Sequence, residues 1–266
     1  MRTTLLLSLT GCPEDPPPGE SCGTPLFGRP AANTDLGPEL CSAACACQAA
    51  LFTAGTPDGV TIDALAATTL LDAPAVPEQD PYAAGTAPAS LGDLVCAVLP
   101  EIGQPGTYRV RSLPLGLAGT ALVTHHDACG LCSSLQDLSV YMRYPDLTEP
   151  VRECGLRSMT GTDEEAIACL EALGFTRPCA RIWFFNTRNT RRECLGECLL
   201  ALDEPYHLPD GSLNDGLLCD EEKSGPVFKA VAGRTRRNTG LASALCRPCA
   251  EVRPLAHDYS AVIGER

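Results

Sequence analysis

The apolar positions of this chain recur mostly with helical spacing. Cys129, Cys132, Leu135, Leu138 and Met142 follow one another at intervals of three and four, one face of a helix over 129–144. Thr162-Asp-Glu-Glu165 is a capping box, predicting a helix that runs to Leu173 and stops at Gly174. Thr176, with Pro178 in the first turn, predicts a long helix to about Leu202. Residues 39–54 are alanine-rich without Gly or Pro, which predicts a helix ended by Gly55. Residues 91–99 predict a helical turn or two before Pro100, and 241–252 a last short helix limited by Pro248. Alternation is confined to 108–113 and 120–124, on either side of a Pro/Gly-containing connection, and predicts a pair of strands. The expected fold is mainly α with a small β-hairpin, an α+β domain.

Composition changes this picture in two respects. Sixteen cysteines among 266 residues point to a domain stapled by disulfides, and the formal net charge is -13. Charge is uneven: from Cys12 to Thr107 there are twelve acids and one base, Arg29, whereas the rest holds 21 acids and 18 bases. An acidic N-terminal part excludes nucleic acid as a partner class. With 44% hydrophobic and 20% charged residues the chain can bury a core. No apolar run approaches the ~18 residues of a membrane-spanning helix. The expected organisation is a signal over 1–11, a Pro/Gly-rich tether over 12–38, an acidic helical region over 39–104 and a cysteine-rich α+β domain over 105–266.

The first twelve residues, MRTTLLLSLTGC, run from a positive end through Leu5–Leu9 to small residues, the order of a secretory signal. Leu9-Thr10-Gly11-Cys12 resembles the lipobox of bacterial lipoproteins. That resemblance implies lipidation of Cys12, a membrane anchor through the lipid, and a place in the bacterial cell envelope. Residues 13–37, rich in Pro and Gly, read as the solvated spacer such an anchor needs. In an oxidising envelope the cysteines become disulfides. Lipidation of Cys12 leaves fifteen others, so at least one is free, paired between chains, or a ligand.

Cys41-x-x-x-Cys45 and Cys194-x-x-x-Cys198 each place two thiols on one helix face, suited to a double staple with a neighbouring element. Cys129-Gly-Leu-Cys132 follows a predicted strand and opens a predicted helix. This element resembles the active site of thioredoxin-like oxidoreductases, over about 20 residues. The resemblance implies Cys129 as attacking thiolate and Cys132 as resolving thiol. His125 and His126 stand just before it, so the four side chains also offer ligands to Zn or Cu. The bland alternative is that both cysteines serve structural disulfides. Cys246-x-x-Cys249 is a second CxxC, and no CxxC carries the following histidine that haem attachment requires.

Two segments are rich in arginine. One holds Arg188, Arg191 and Arg192, the other Arg234, Arg236 and Arg237, each interleaved with Thr and Asn. Such forks suit carboxylates or phosphates. Either an acidic ligand docks there, or the arginines pair with the protein's own acids, such as Glu164, Glu165 or 220–222. Signatures of nucleotide-binding, hydrolase and metalloprotease families are absent. The sequence therefore points to an envelope-anchored binding or structural module, partnered by an envelope protein or an acidic small molecule. Oxidoreductase and metal-binding roles are the alternatives.

Overall fold

The computed structural model describes residues 25–47, 50–84 and 93–264. The lipobox-like end and the first half of the expected tether lie outside them. From Pro25 onward the chain is folded in. Strand β1 (Leu26–Phe27) pairs in parallel with β2 (Cys41–Ser42), and Phe27 is buried. The stretch 25–38 is thus body rather than spacer.

The described residues of 39–54 form short strands and no helix. After β2, β3 (Ala44–Cys47) and β4 (Ala50–Thr53) form an antiparallel hairpin. A spacing of four puts two residues on one face of a strand as well as of a helix, so the spacing could not decide. Tertiary bonding decides: Cys41 is bridged to Cys246 and Cys45 to Cys249. Helix α1 (Gly59–Ala66), capped by Asp58, leads to the short β5 (Thr69–Leu70). Residues 73–80, interrupted by Pro74 and Pro77, form no regular element, and a 3-10 turn follows at Pro81–Ala84.

The 91–99 run is a strand, β6 (Leu94–Pro100), rather than helical turns. It pairs on both sides, with β7 (Thr107–Pro114) and, beyond the short α2 (Leu115–Ala118), with β8 (Leu122–His126). A central strand is covered on both faces, and Val95, Cys96, Ala97 and Val98 are all buried. The two predicted strands exist, but β6 lies between them in the order β5-β7-β6-β8. This sheet crosses the boundary expected at 104–105, as do the Cys41–Cys246, Cys45–Cys249 and Cys96–Cys129 bridges.

The remainder is largely helical: α3 (Leu135–Arg143), α4 (Thr148–Thr160), α5 (Asp163–Ala172), α6 (Arg177–Leu200), α7 (Asp215–Lys223), α8 (Gly225–Ala232) and α9 (Arg236–Thr239). The predicted capping box is present, with both reciprocal bonds between Thr162 and Glu165. Thr176 precedes α6 as predicted, but its hydroxyl donates to buried Asp137 instead of capping. Burial raises the Asp137 carboxyl to about 6, against hydrogen bonds from Ser134 and Thr176. No helix forms over 241–252; β9 (Arg247–Pro248) pairs antiparallel with β1 and a 3-10 turn follows. A last short helix, α10 (Ser260–Ile263), closes the chain. The result is a disulfide-stapled α+β domain whose main core packs α3, α5, α6 and α8 against the four-stranded sheet.

Candidate functional site

Six disulfides join the described cysteines, and they reassign the sequence-predicted constellations. Cys129 and Cys132 are not bonded to each other: Cys129 is bridged to Cys96 on β6 and Cys132 to Cys179 on α6. The CGLC segment also precedes its helix, since α3 begins only after its cap at Ser134. Leu131 and Cys132 donate to the carbonyls of Val231 and Ala232 at the end of α8. A Cβ on Gly130 would stand 2.5 Å from the Val231 oxygen, so the glycine admits this backbone-to-backbone approach. An attacking and a resolving thiol side by side, as the resemblance implies, are not what the fold builds here.

The histidines are likewise occupied. His125 is fully buried; its Nδ1 lies 2.7 Å from the His126 carbonyl and its Nε2 2.7 Å from Ser133 Oγ. Burial, and then the charge of Arg234, hold it well below its ordinary pKa, so the imidazole is neutral. His126 turns to the other side, toward the Pro254 backbone. Since both cysteines are cross-linked, the four predicted ligands do not converge. Among the described residues no group of three His, Cys, Asp or Glu side chains is placed to hold a metal ion.

The six arginines are spent on the protein's own acceptors. Arg234 is fully buried; it donates to the carbonyls of Thr124, Cys132, Ser133 and Ser134 and to the Thr124 hydroxyl. Arg236 donates to the carbonyls of Tyr141 and Tyr144, neutralising the open end of α3. Burial lowers it to about 10. Arg237 pairs with Glu221 and Glu251, and Arg188 with Asp80 and Asp163. Arg192 pairs with Glu193. Only Arg191 of the six has neither a carboxylate nor a carbonyl, donating to Ser158 Oγ at 3.2 Å. The two arginine segments therefore build the fold and do not converge on one anion. The Asn and Thr residues of the first segment form a seam with α7 and its junction to α8. Thr190 and Asn186 donate to Asp220, Tyr82 donates to Asn186, and Asn189 donates to Ser224. Burial raises the Asp220 pKa, against those two hydrogen bonds.

What remains open is a cleft of about 1410 Å³ bounded by α4, α6, α7 and α9. One part is aromatic: Tyr141, Trp183 and Phe228 line it, the last two with rings 4.5 Å apart. Tyr141 Oη and Trp183 Nε1 are buried there beside each other, with no other hydrogen-bonding group in reach. Another part is aliphatic, lined by Leu156 and Met159 of α4 and Leu195, Leu199 and Leu202 at the end of α6. Cys198, the free thiol among the described cysteines, opens onto it, its pKa raised by burial and then by Asp220. Of the two cysteines predicted to staple α6, Cys194 does so, to Cys219, and Cys198 does not. The signal for this wall was in the sequence: Leu195, Leu199 and Leu202 stand at i, i+4 and i+7 with no apolar partner segment marked for them.

A protein-family model described as a family of unknown function, DUF8771, matches residues 163–254, about a third of the chain. That stretch runs from α5 through α9 to Cys246 and Cys249, most of the cleft wall. No curated protein and no solved structure matches the chain.

Proposed function

We propose that this chain is an envelope-anchored, exported binding module that works through the cleft between α4, α6 and α7. The observation that supports this best is the division of labour among its reactive groups. Thiols, imidazoles and guanidinia that resemble chemical machinery are consumed by the scaffold, while a large cleft presents an exposed apolar wall. Twelve cysteines closed into bridges fit an oxidising compartment, where Cys12 would carry the lipid and residues 13–24 would space the body from the bilayer.

The test is made in cells. A photo-crosslinking amino acid at Leu199, in the cleft wall, captures a discrete partner, whereas one at Leu117, exposed on α2, does not. Equal capture at both positions, or none at Leu199, contradicts the reading. Labelled palmitate entering the protein but not its Cys12→Ala form tests the anchor separately.

A further inference from the structure

Resting on the cleft as the working surface, we infer that its partner is a cationic amphipathic helix of another protein. The end of α6 carries the case. Its backbone leaves helical geometry at Cys194 (φ -128°, ψ 19°), where the bridge to Cys219 ties it to α7. Beyond that bend Leu195, Leu199 and Leu202 are 48%, 59% and 51% exposed, and across the groove Leu156 and Met159 of α4 are 53% and 59% exposed. Together they present an apolar patch of a few hundred Å², the size that marks interaction sites on monomers. Leu195 and Leu199 stand one turn apart on α6 and Leu202 follows just past its last residue, so the three make a short apolar wall of the kind that receives the anchors of a helix.

Charge selects the occupant. Leu202 is followed directly by Asp203 and Glu204, both exposed and both lining the cleft, and exposed Glu197 lies between the leucines. None of the three makes an ion pair among the described residues. Asp35 and Asp146 add to the rim; against them stand Arg191 in the lining and Arg157, exposed beside Leu156, while Arg152 is paired with Glu149 and the other bases of the cleft, Lys229, Arg236, Arg237, Arg247 and Arg253, are held by Asp127, helix carbonyls, Glu221, Glu251 and Asp93. The leucine wall thus sits in an acidic surround on a chain of net charge -13. A second copy docked by the same face would set acid against acid, and an anionic bilayer would be repelled. A helix with leucine-like anchors on one face and Lys or Arg on its flanks satisfies both.

The probe is a fluorescent 18-residue peptide of Leu and Lys with the leucines at helical spacing, titrated by anisotropy into the intact, oxidised protein; a Leu/Glu peptide of the same pattern is the comparison. Saturable binding of the Leu/Lys peptide is expected, weakened several-fold between 50 and 300 mM salt. Leu199→Asp and Leu195→Asp should each weaken it at least tenfold. Both variants make the protein more acidic, so mere charge attraction would strengthen binding instead. Leu117→Asp should leave it unchanged. Bound peptide should slow alkylation of Cys198. Absence of saturable binding, or unchanged or tighter binding by the Leu199→Asp form, overturns the inference. Binding of the Leu/Glu peptide with protection of Cys198 overturns the cationic class alone and keeps the cleft as working surface. A dimer of the free protein that Leu199→Asp dissociates overturns it in favour of self-association.

Discussion

Around Phe27 only five buried apolar residues gather among the described ones, whereas twenty-nine do so in the helical body. The two regions differ equally in their covalent bonds. The small layer is tied down by bridges spanning 205 and 204 positions, while those of the body span 15 to 47. Where the core is too small to offset the entropy of ordering, long cross-links remove that entropy from the unfolded chain; where the core is large, short ones suffice.

The largest effect follows from the near coincidence of the two long bridges. Either alone closes a loop of roughly 200 residues, and the second then closes only a ring of about nine. Replacing Cys41 and Cys246 together, or Cys45 and Cys249 together, should cost about 2.5 kcal/mol, but removing both bridges about 8 kcal/mol in the chain-entropy description. Denaturant unfolding of the three variants checks this non-additivity; two equal, additive losses would break the comparison. Next comes Arg234, whose guanidinium fills the junction of β8, α3 and the 129–134 segment. Arg234→Ala strands four buried carbonyls and opens a cavity, for an expected loss of about 4 kcal/mol.

Acid should weaken the body through its buried imidazoles. Burial lowers His257 to about 4, and the same cause holds His125 well below its ordinary value. The unfolded imidazole protonates near 6.5 while the folded one stays neutral, so stability falls as pH drops below 6.5. By pH 5 His257 alone accounts for about 2 kcal/mol. Asp137 works the other way, because its folded carboxyl, at about 6, takes up a proton before the unfolded one and gains stability as pH falls. Urea midpoints at pH 7 and pH 5 should therefore differ less for His257→Gln than for the native chain. An undiminished difference contradicts the assignment. The smallest effect is expected at Arg192, 54% exposed and paired only with neighbouring Glu193 and Asn189. Arg192→Ala should change stability by less than about 0.5 kcal/mol, in contrast to Arg234 in the sister segment.

Much of the helical body was legible in the sequence, because helix-start signals are local: the Thr162–Glu165 capping box and Pro178 in the first turn of α6 mark their helices within a few residues. The stapled layer was not, because what holds the strands at Cys41 and Cys45 is bonding to Cys246 and Cys249, some two hundred positions away. The same holds for β6, whose apolar run reads equally as a buried helix turn or a central strand. Of the candidate site residues, Cys129, Cys132 and the arginines stood out by type and spacing, yet their partners are long-range groups that spacing does not reveal. The leucines of α6 were visible as a periodic stripe, but only the fold shows that nothing covers them.

The fold is held by its pattern of sulfur bonding, which peptide mapping of freshly isolated protein, with thiols alkylated before any reduction, tests directly. The predicted result is Cys129 linked to Cys96, Cys132 linked to Cys179, the Cys41–Cys246 and Cys45–Cys249 pair intact, and Cys198 alkylated. A bond between Cys129 and Cys132, or both recovered as alkylated thiols, would contradict it.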